Sequence, residues 1–327
     1  MSIHFAGQVM AANIVRFRQG GEVAWGVLEG ERVIRVPGVF ATTGEFVSRN
    51  DVGTLKQVRE AGVARSEVEI LSPVTRNQQF ICQGANYRRH MIESGMDPDA
   101  KTYNMIFTKA PSCIVAADSV LVKPAHVRFF DYEIELGLVL RRDIDRATVV
   151  TDANLIEFVA ALVIVNDYSA RDIQIPQMQF YKGKSYRTFG PVGPRLCMLE
   201  KGDAPEIRNL RLRLTVNGEV RQDDTTANLV FGPAETLTEL SGVQDLFAGD
   251  LIATGTPAGC ALSVPSPFRQ KIAALLPEAT KWRTFLAVQA ARRQYLKTGD
   301  VVEATIANAS GTIDLGVQRN VVVEEGL

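Results

Sequence analysis

Histidine is scarce in this chain of 327 residues: His4, His90 and His126 are the only three. That argues against a histidine-rich zinc site. Cysteine is nearly as rare. Cys82, Cys113, Cys197 and Cys260 lie far apart with no Cys-x-x-Cys spacing, so a zinc or redox pair of that kind is not encoded, and they read as reduced packing residues. No Lys/Arg-rich block occurs and the formal net charge is only -1. The electrostatic footprint of nucleic-acid or anionic-membrane binding is therefore missing. The longest useful apolar run, "FVAALVIV", is far too short to cross a bilayer, and "MSIHFAGQVMAANIVRF" lacks the basic region and long apolar stretch of a leader. The expected compartment is the cytoplasm. What is present is ordinary: 46% hydrophobic and 22% charged residues, enough for one large domain or a large and a small one.

Short alternating runs in "NIVRFRQGGEVAWGVLEGERVIRV" are broken by "RQGGE" and "LEGER", which predicts strands joined by glycine-containing hairpin turns. A polar segment from Thr42 to Glu69 reads as partly helical, and Pro73 in "LSPVTRNQQ" marks a boundary. Residues 1–73 are thus expected to form a small β-rich amino-terminal domain, and 74–327 the main one. Beyond it, strand-like runs such as "ELGLVLRRDI", "ALVIVNDY", "LRLRLTVNGEV" and "VQRNVVVE" outnumber helical stretches. The fold class expected is α+β, mainly β, rather than a doubly wound sheet. The exception is 266–297, which reads as two helices split near Pro277 and inserted between two strands.

In "FFDYEIELGLVL", residues 129–140, Asp131, Glu133 and Glu135 alternate with apolar side chains and would share one face of a strand. An edge strand with a solvated face would show the same pattern. A further acid, Asp167, follows the apolar run "ALVIV" at a strand end. If Glu133, Glu135 and Asp167 converge, each pair of carboxylates at ~4 Å repels by about 4 kcal/mol at an effective dielectric near 20, which calls for a proton or a cation between them. All-oxygen ligands favour a hard divalent ion, Mg²⁺ first and Mn²⁺ or Ca²⁺ next. In "GANYRRHMIESG", Asn86 is placed to cap a short helix ending at Gly95, with His90 and Glu93 three residues apart on one face. Such a pair can make a water nucleophilic, although a surface helix with an incidental ion pair looks the same. "GKS" at 183–185 is not a phosphate loop, because Met178 stands where its first glycine is required. Lys184 is then either an anion or oxyanion binder or a solvated charge, with Arg171 and Gln174 judged on the same terms. Thr256 in "DLIATGTPAG" sits in a turn between Gly255 and Gly259 that could grip a ligand oxygen.

Taken in order, "GANYRRH", "FTKAPS", "DYEIELGLVL", "NDYSARDIQ", "GKSYRTFGPVGP", "NGEVRQ", "GDLIATGTPAG" and "GTIDLGVQRN" resemble the fumarylacetoacetate hydrolase superfamily from about residue 79 to the carboxyl end, the inserted helices excepted. The resemblance implies a mixed β-roll core and a Mg²⁺ or Mn²⁺ held by Glu133, Glu135 and Asp167. It also implies a His90/Glu93 dyad on a segment that orders over the substrate, Lys184 as oxyanion stabiliser, and Arg171, Gln174 and Thr256 as substrate contacts. The implied chemistry is hydrolysis of a carbon-carbon bond next to a carbonyl, in an acylpyruvate-type oxo acid, within catabolism of aromatic or related compounds. Decarboxylation of an oxaloacetate-like acid or isomerisation of a muconate-like diacid is the alternative on the same site, and a catalytically silent ligand-binding protein a third. Members of the superfamily usually form homodimers. Tyr181, Tyr186 and Phe189 near Lys184 either admit an apolar acyl group or pack the core.

Overall fold

Gly20 and Gly21 take φ of +56° and +89°, the two positive values that a two-residue hairpin turn requires. They join strands Ala12–Gln19 and Glu22–Glu29, and Gly30 opens the next turn into Arg32–Arg35. The structure, a computed structural model, describes residues 11–100, 103–263 and 277–326. The segment after the hairpins contains the helices Thr43–Arg49 and Val52–Leu55, capped by the side chains of Thr42 and Asp51. This small amino-terminal β unit joins the main sheet through Ala12–Gln19, which pairs antiparallel with Leu196–Met198, Ile14 lying opposite Leu196.

The resulting sheet has 11 strands. Its centre is Ile134–Leu140, hydrogen-bonded to Val159–Asn166 on one side and Leu251–Ala253 on the other. A second sheet of five strands runs Glu219–Thr225, Arg211–Val216, Val301–Ala307, Asp314–Glu324 and Leu121–Lys123. Arg211–Val216 and Val301–Ala307 bury every second residue, as strands with one solvated face do. Their inner residues, among them Leu212, Leu214, Val302 and Ile306, pack in one core with Leu136, Leu138, Leu162 and Ile164 of the large sheet. The opposite face of the same central strands carries Val139, Ala161, Val163 and Val165, which pack with Ile14, Trp25 and Phe46. The central strands are therefore covered on both faces, which is why they read as continuous apolar runs. This strand-rich, mixed α+β architecture is the one expected.

Two local expectations need correction. Residues 129–140 are not one strand, since Phe130–Asp131 and Ile134–Leu140 are separate, and the alternative of a solvated face also fails, every residue from Phe130 to Leu140 being buried. Asn86 does not cap the helix Arg88–Glu93. Its amide donates to the carbonyls of Phe231 (3.0 Å) and Thr254 (2.9 Å) and accepts from the Phe231 N–H (2.8 Å), so tertiary partners outcompete the local cap. The second expected inserted helix is present as Glu278–Ala290 beginning after Pro277, while the first falls in 264–276, outside the described residues. The four cysteines are free and buried. Among the described residues no helix is long and apolar enough to cross a membrane.

Candidate active site

Strand register brings the acids together. Ile134 lies opposite Asn166, and the Asp167 N–H donates to the Glu133 carbonyl at 2.8 Å, so Glu133 and Asp167 face each other one residue beyond the paired strand ends. Glu135 is two residues further along its strand and shares the face of Glu133. One carboxylate oxygen from each of Glu133, Glu135 and Asp167 lies within 4.8 Å of the other two, and all three side chains are buried.

The charges around this triad are unequal. Lys184 Nζ donates to Glu133 Oε2 and Asp167 Oδ2, each at 2.6 Å. Lys109 Nζ donates to Asp167 Oδ1 at 2.5 Å and to the Phe189 carbonyl at 2.8 Å. Arg171 donates to Glu133 Oε1, to Asp131 Oδ2 at 2.8 Å and to Gln174 Oε1 at 2.7 Å. Among the described residues no cation bonds Glu135; its Oε2 accepts the Gly255 N–H at 2.9 Å. The cluster thus holds four carboxylates, Asp131 included, against three cations. Burial, and then repulsion from Asp167 and Glu133, pushes the Glu135 carboxyl well above the usual range. Burial acts the same way on Glu133, but Arg171 and Lys184 outweigh it and hold that carboxyl at about 2. Burial opposes the Lys184 ammonium, yet Asp167 and Glu133 raise its pKa, so it is a donor at neutral pH. Three converging hard oxygens and one uncompensated negative charge fit a divalent cation held by Glu133, Glu135 and Asp167. Oxygens already bonded to the lysines retain lone pairs for it.

A cavity of about 190 Å³ opens on Glu133 and Glu135 of the triad, lined among others by His90, Gln83, Gln174, Lys184, Thr256 and Phe180. His90 points into it from the helix Arg88–Glu93, and its Nδ1 is buried with no hydrogen-bond partner. Burial lowers the His90 pKa; Glu133 opposes that and Arg171 adds to it. Glu93, on the same helix, is exposed and accepts the Gly259 N–H at 3.2 Å. The two side chains make no hydrogen bond with each other here. The Thr256 hydroxyl lines the cavity but donates to the Ile134 carbonyl at 2.9 Å and accepts from Gln222 at 2.8 Å, holding its turn in place. Gly255 must be glycine: its φ is +89°, and a Cβ there would meet the Asn86 Cβ at 2.8 Å. Tyr181 is largely exposed, Tyr186 bonds His126 and Phe189 stacks on Phe130 in the core. The aromatic rings lining the cavity are Phe107 and Phe180, edge to face at 5.0 Å.

Two polar residues of the site, Lys109 and Gln83, escape sequence reasoning, and Asp131, read in the sequence on the face of Glu133 and Glu135, has a different role from theirs. Lys109 is 1% exposed and sits in "FTKAPS" with nothing local to mark it as the partner of Asp167. Asp131 faces Arg171 and the N–H groups of Ala261 and Leu262 rather than the cavity. Gln83, at the end of the apolar strand Phe80–Gly84, was signalled only by being polar there; its Oε1 is buried without a partner.

A family model described as Fumarylacetoacetate (FAA) hydrolase C-terminal matches residues 79–323. The chain belongs to the fumarylacetoacetate hydrolase family. A second model, described as Rv2993c-like, N-terminal, matches residues 13–73. Members of this family are enzymes. The chain is similar to oxaloacetate tautomerase YisK of Bacillus subtilis, 36% identical over 196 residues, 59% of this chain and 64% of that protein, just under two thirds of its length. It is 34% identical over 231 residues to the mitochondrial oxaloacetate tautomerase FAHD2A of Bos taurus, 68% of this chain and 71% of that one. A solved structure described as a probable 2-hydroxyhepta-2,4-diene-1,7-dioate isomerase from Mycobacterium abscessus superposes with a TM-score of 0.72 at 27% identity, covering 97% of this chain and 100% of that one.

Proposed function

We propose that this member of the family is a divalent-metal-dependent enzyme that moves a proton at the carbon next to the carbonyl of a small 2-oxo acid, in the manner of a tautomerase or isomerase. The observation that carries this reading is His90: a neutral-favouring imidazole with an unpartnered, buried Nδ1 lines the same cavity as Glu133 and Glu135 of the acidic triad, while Glu93 is turned away to Gly259. Proton transfer between carbon and oxygen needs one such base and no activated water. The names of the two tautomerases and the isomerase support it.

When bound by Glu133, Glu135 and Asp167, Mg²⁺, ahead of Mn²⁺ or Ca²⁺, supplies a Lewis acid that polarises the substrate carbonyl. His90 takes the proton from the adjacent carbon and returns it to oxygen, or the reverse. Lys184, held as an ammonium, steadies the negative charge that develops on the oxygen. Gln174, whose amide oxygen is fixed by Arg171, presents its NH₂ to a carboxylate or carbonyl. Arg171 itself is committed to Asp131 and Glu133, so its part is to orient Glu133. A cavity of about 190 Å³ is below the ~300 Å³ at which pockets for larger ligands begin, in keeping with a small acid. We propose further, from the family resemblance, a homodimer in the cytoplasm with the boundary between its two units near residue 73; light scattering at twice the chain mass checks the dimer.

The test is the conversion of enol to keto oxaloacetate, followed by ultraviolet absorption with magnesium-loaded and chelator-treated protein. Acceleration that needs the metal and falls by roughly 10² to 10⁴ in His90→Ala supports the proposal; a rate untouched by that substitution removes His90 from the mechanism. The second reading, carbon-carbon hydrolysis, is favoured by the three-residue spacing of His90 and Glu93, which lets the two meet on one helix face after side-chain rotation.

A further inference from the structure

The motif "NGEVRQ" ends on a glutamine in an unexpected place. Strand Glu219–Thr225 lies at the edge of the five-stranded sheet, and Gln222, 1% exposed, is the one buried residue on it. An apolar side chain would serve there if packing were the only requirement. The Gln222 amide crosses instead to the large sheet. Its Oε1 accepts the Ile134 N–H at 3.0 Å, and its Nε2 donates to the Thr256 hydroxyl and the Pro257 carbonyl, each at 2.8 Å. Those partners fix which way the amide faces, since the Ile134 N–H only donates and the Pro257 carbonyl only accepts.

Ile134 separates Glu133 from Glu135 in the chain. The strand Leu251–Ala253 pairs with Gly137, Leu138 and Val139 and stops short of Ile134. Where that ladder has run out, two side chains replace it: Gln222 Oε1 takes the Ile134 N–H, and the Thr256 hydroxyl donates to the Ile134 carbonyl at 2.9 Å. Both backbone groups of this fully buried residue are thereby satisfied. The turn that Gln222 fastens also carries the Gly255 N–H, given to Glu135 at 2.9 Å, and the Gly259 N–H, given to Glu93 at 3.2 Å. It lies directly on the strand of Gln222: a Cβ at Gly259 would meet the Arg221 carbonyl oxygen at 2.0 Å.

We propose that Gln222 is a positioning residue of the metal centre: one amide ties the backbone between Glu133 and Glu135 to the turn that holds Glu135, and so sets the spacing of the two carboxylates for the ion. The proposal rests on the reading above of the acidic triad as the metal site. Gln222 is not among the described residues lining the cavity, so it acts through Glu133 and Glu135 rather than on the substrate. Partners that orient metal ligands in this way are worth much of the affinity for the ion although they never touch it.

Magnesium binding to the full chain is titrated by calorimetry for the parent, Gln222→Met, Thr256→Val and the double variant, with melting temperatures measured alongside. Methionine keeps the length of the side chain and makes none of the amide's hydrogen bonds. Gln222→Met is expected to weaken binding by about 10- to 100-fold. Thr256→Val breaks the same link from the side of the turn, and answers the question if Gln222→Met fails to fold. Because the two side chains act through one link, the double variant is expected to bind no more weakly than the poorer single one. Val302→Ala, a cavity in the core of the same sheet, is the control for lost stability: it is expected to lower the melting temperature and leave affinity within about twofold of the parent. Unchanged affinity in Gln222→Met, losses that multiply in the double variant, or an equal loss of affinity in Val302→Ala overturns the proposal. Glu135→Gln separates the two failures. An ion whose binding is weakened by Glu135→Gln but not by Gln222→Met sinks the positioning role alone, whereas a parent that binds no magnesium sinks the reading of the triad and the proposal with it.

Discussion

Replacing Glu135 by Gln removes the one carboxylate of the triad that has no cationic partner, with almost no change of shape. In the metal-free protein burial and its acidic neighbours favour the protonated Glu135 carboxyl, because its charge would face Glu133 and Asp167 at oxygen separations of no more than 4.8 Å. At an effective dielectric near 20 each such pair repels by about 3.5 kcal/mol before compensation by the neighbouring lysines. The Gly255 N–H that Glu135 accepts is served equally well by an amide oxygen. Glu135→Gln is therefore expected to be as stable as the parent, or more so, without metal. With metal the order reverses. An ion present at 100 times its dissociation constant stabilises the parent by about 2.7 kcal/mol, and a variant binding 100-fold more weakly gains only about 0.4 kcal/mol at the same concentration. Thermal unfolding with and without excess Mg²⁺, alongside calorimetric titration of the ion, reads both effects. An equal metal-induced rise in the melting temperature of both proteins would refute the ligand set. A large loss of stability in the metal-free variant would show that Glu135 is held by charges other than those described.

Burial favours neutral His90, so its folded pKa lies below the ordinary value near 6.5, and a cation in the triad pushes it the same way. The acidic limb of kcat/KM should accordingly fall below pH 6.5. The ring's contribution to stability is present above the unfolded pKa and is lost as pH falls from there through the lower folded pKa, the unfolded chain taking up the proton first; an acidic limb above pH 7 in a pH-rate profile contradicts this. Lys109→Met leaves Asp167 with one lysine in a buried site and should cost about 3 to 5 kcal/mol by urea unfolding; a loss under 1 kcal/mol means the ammonium is not needed there. Gly137→Val places methyl groups where a Cβ alone already meets Val163, Val165 and Leu251 at 2.7, 2.8 and 3.0 Å. Overpacking of about 1 to 3 kcal/mol is expected, with weakened metal binding because Glu135 lies two residues away; a stability equal to the parent's would show that the strand can shift.

The triad was legible because a two-residue period and a strand end are local signals: Glu133 and Glu135 alternate with Ile134 and Leu136, and Asp167 closes an apolar run. Their partners were not. Lys109 lies 58 residues from Asp167, and Glu93 meets a backbone amide 166 residues away, so only the topology decides that they touch. Asn86 failed as a cap for the same reason, since its side chain is taken by the carbonyls of Phe231 and Thr254, 145 and 168 residues away. The alternation of Arg211–Val216 gave its sheet face away, whereas acids on Ile134–Leu140 and just before it imitated a solvated face although that strand is covered on both sides. Pairing of the first strand with Leu196–Met198 leaves no periodic trace at all.

The central claim is proton transfer rather than hydrolysis at the triad. Its most direct measurement is product analysis after incubating magnesium-loaded and chelator-treated protein with oxaloacetate, a 2-oxo monoacid and an acylpyruvate in water enriched in both deuterium and heavy oxygen. Metal-dependent deuterium at the carbon next to the carbonyl, with no heavy oxygen in a newly formed acid, is the predicted result. A new acid carrying heavy oxygen together with pyruvate would contradict it, and would return His90 and Glu93 to the activation of water.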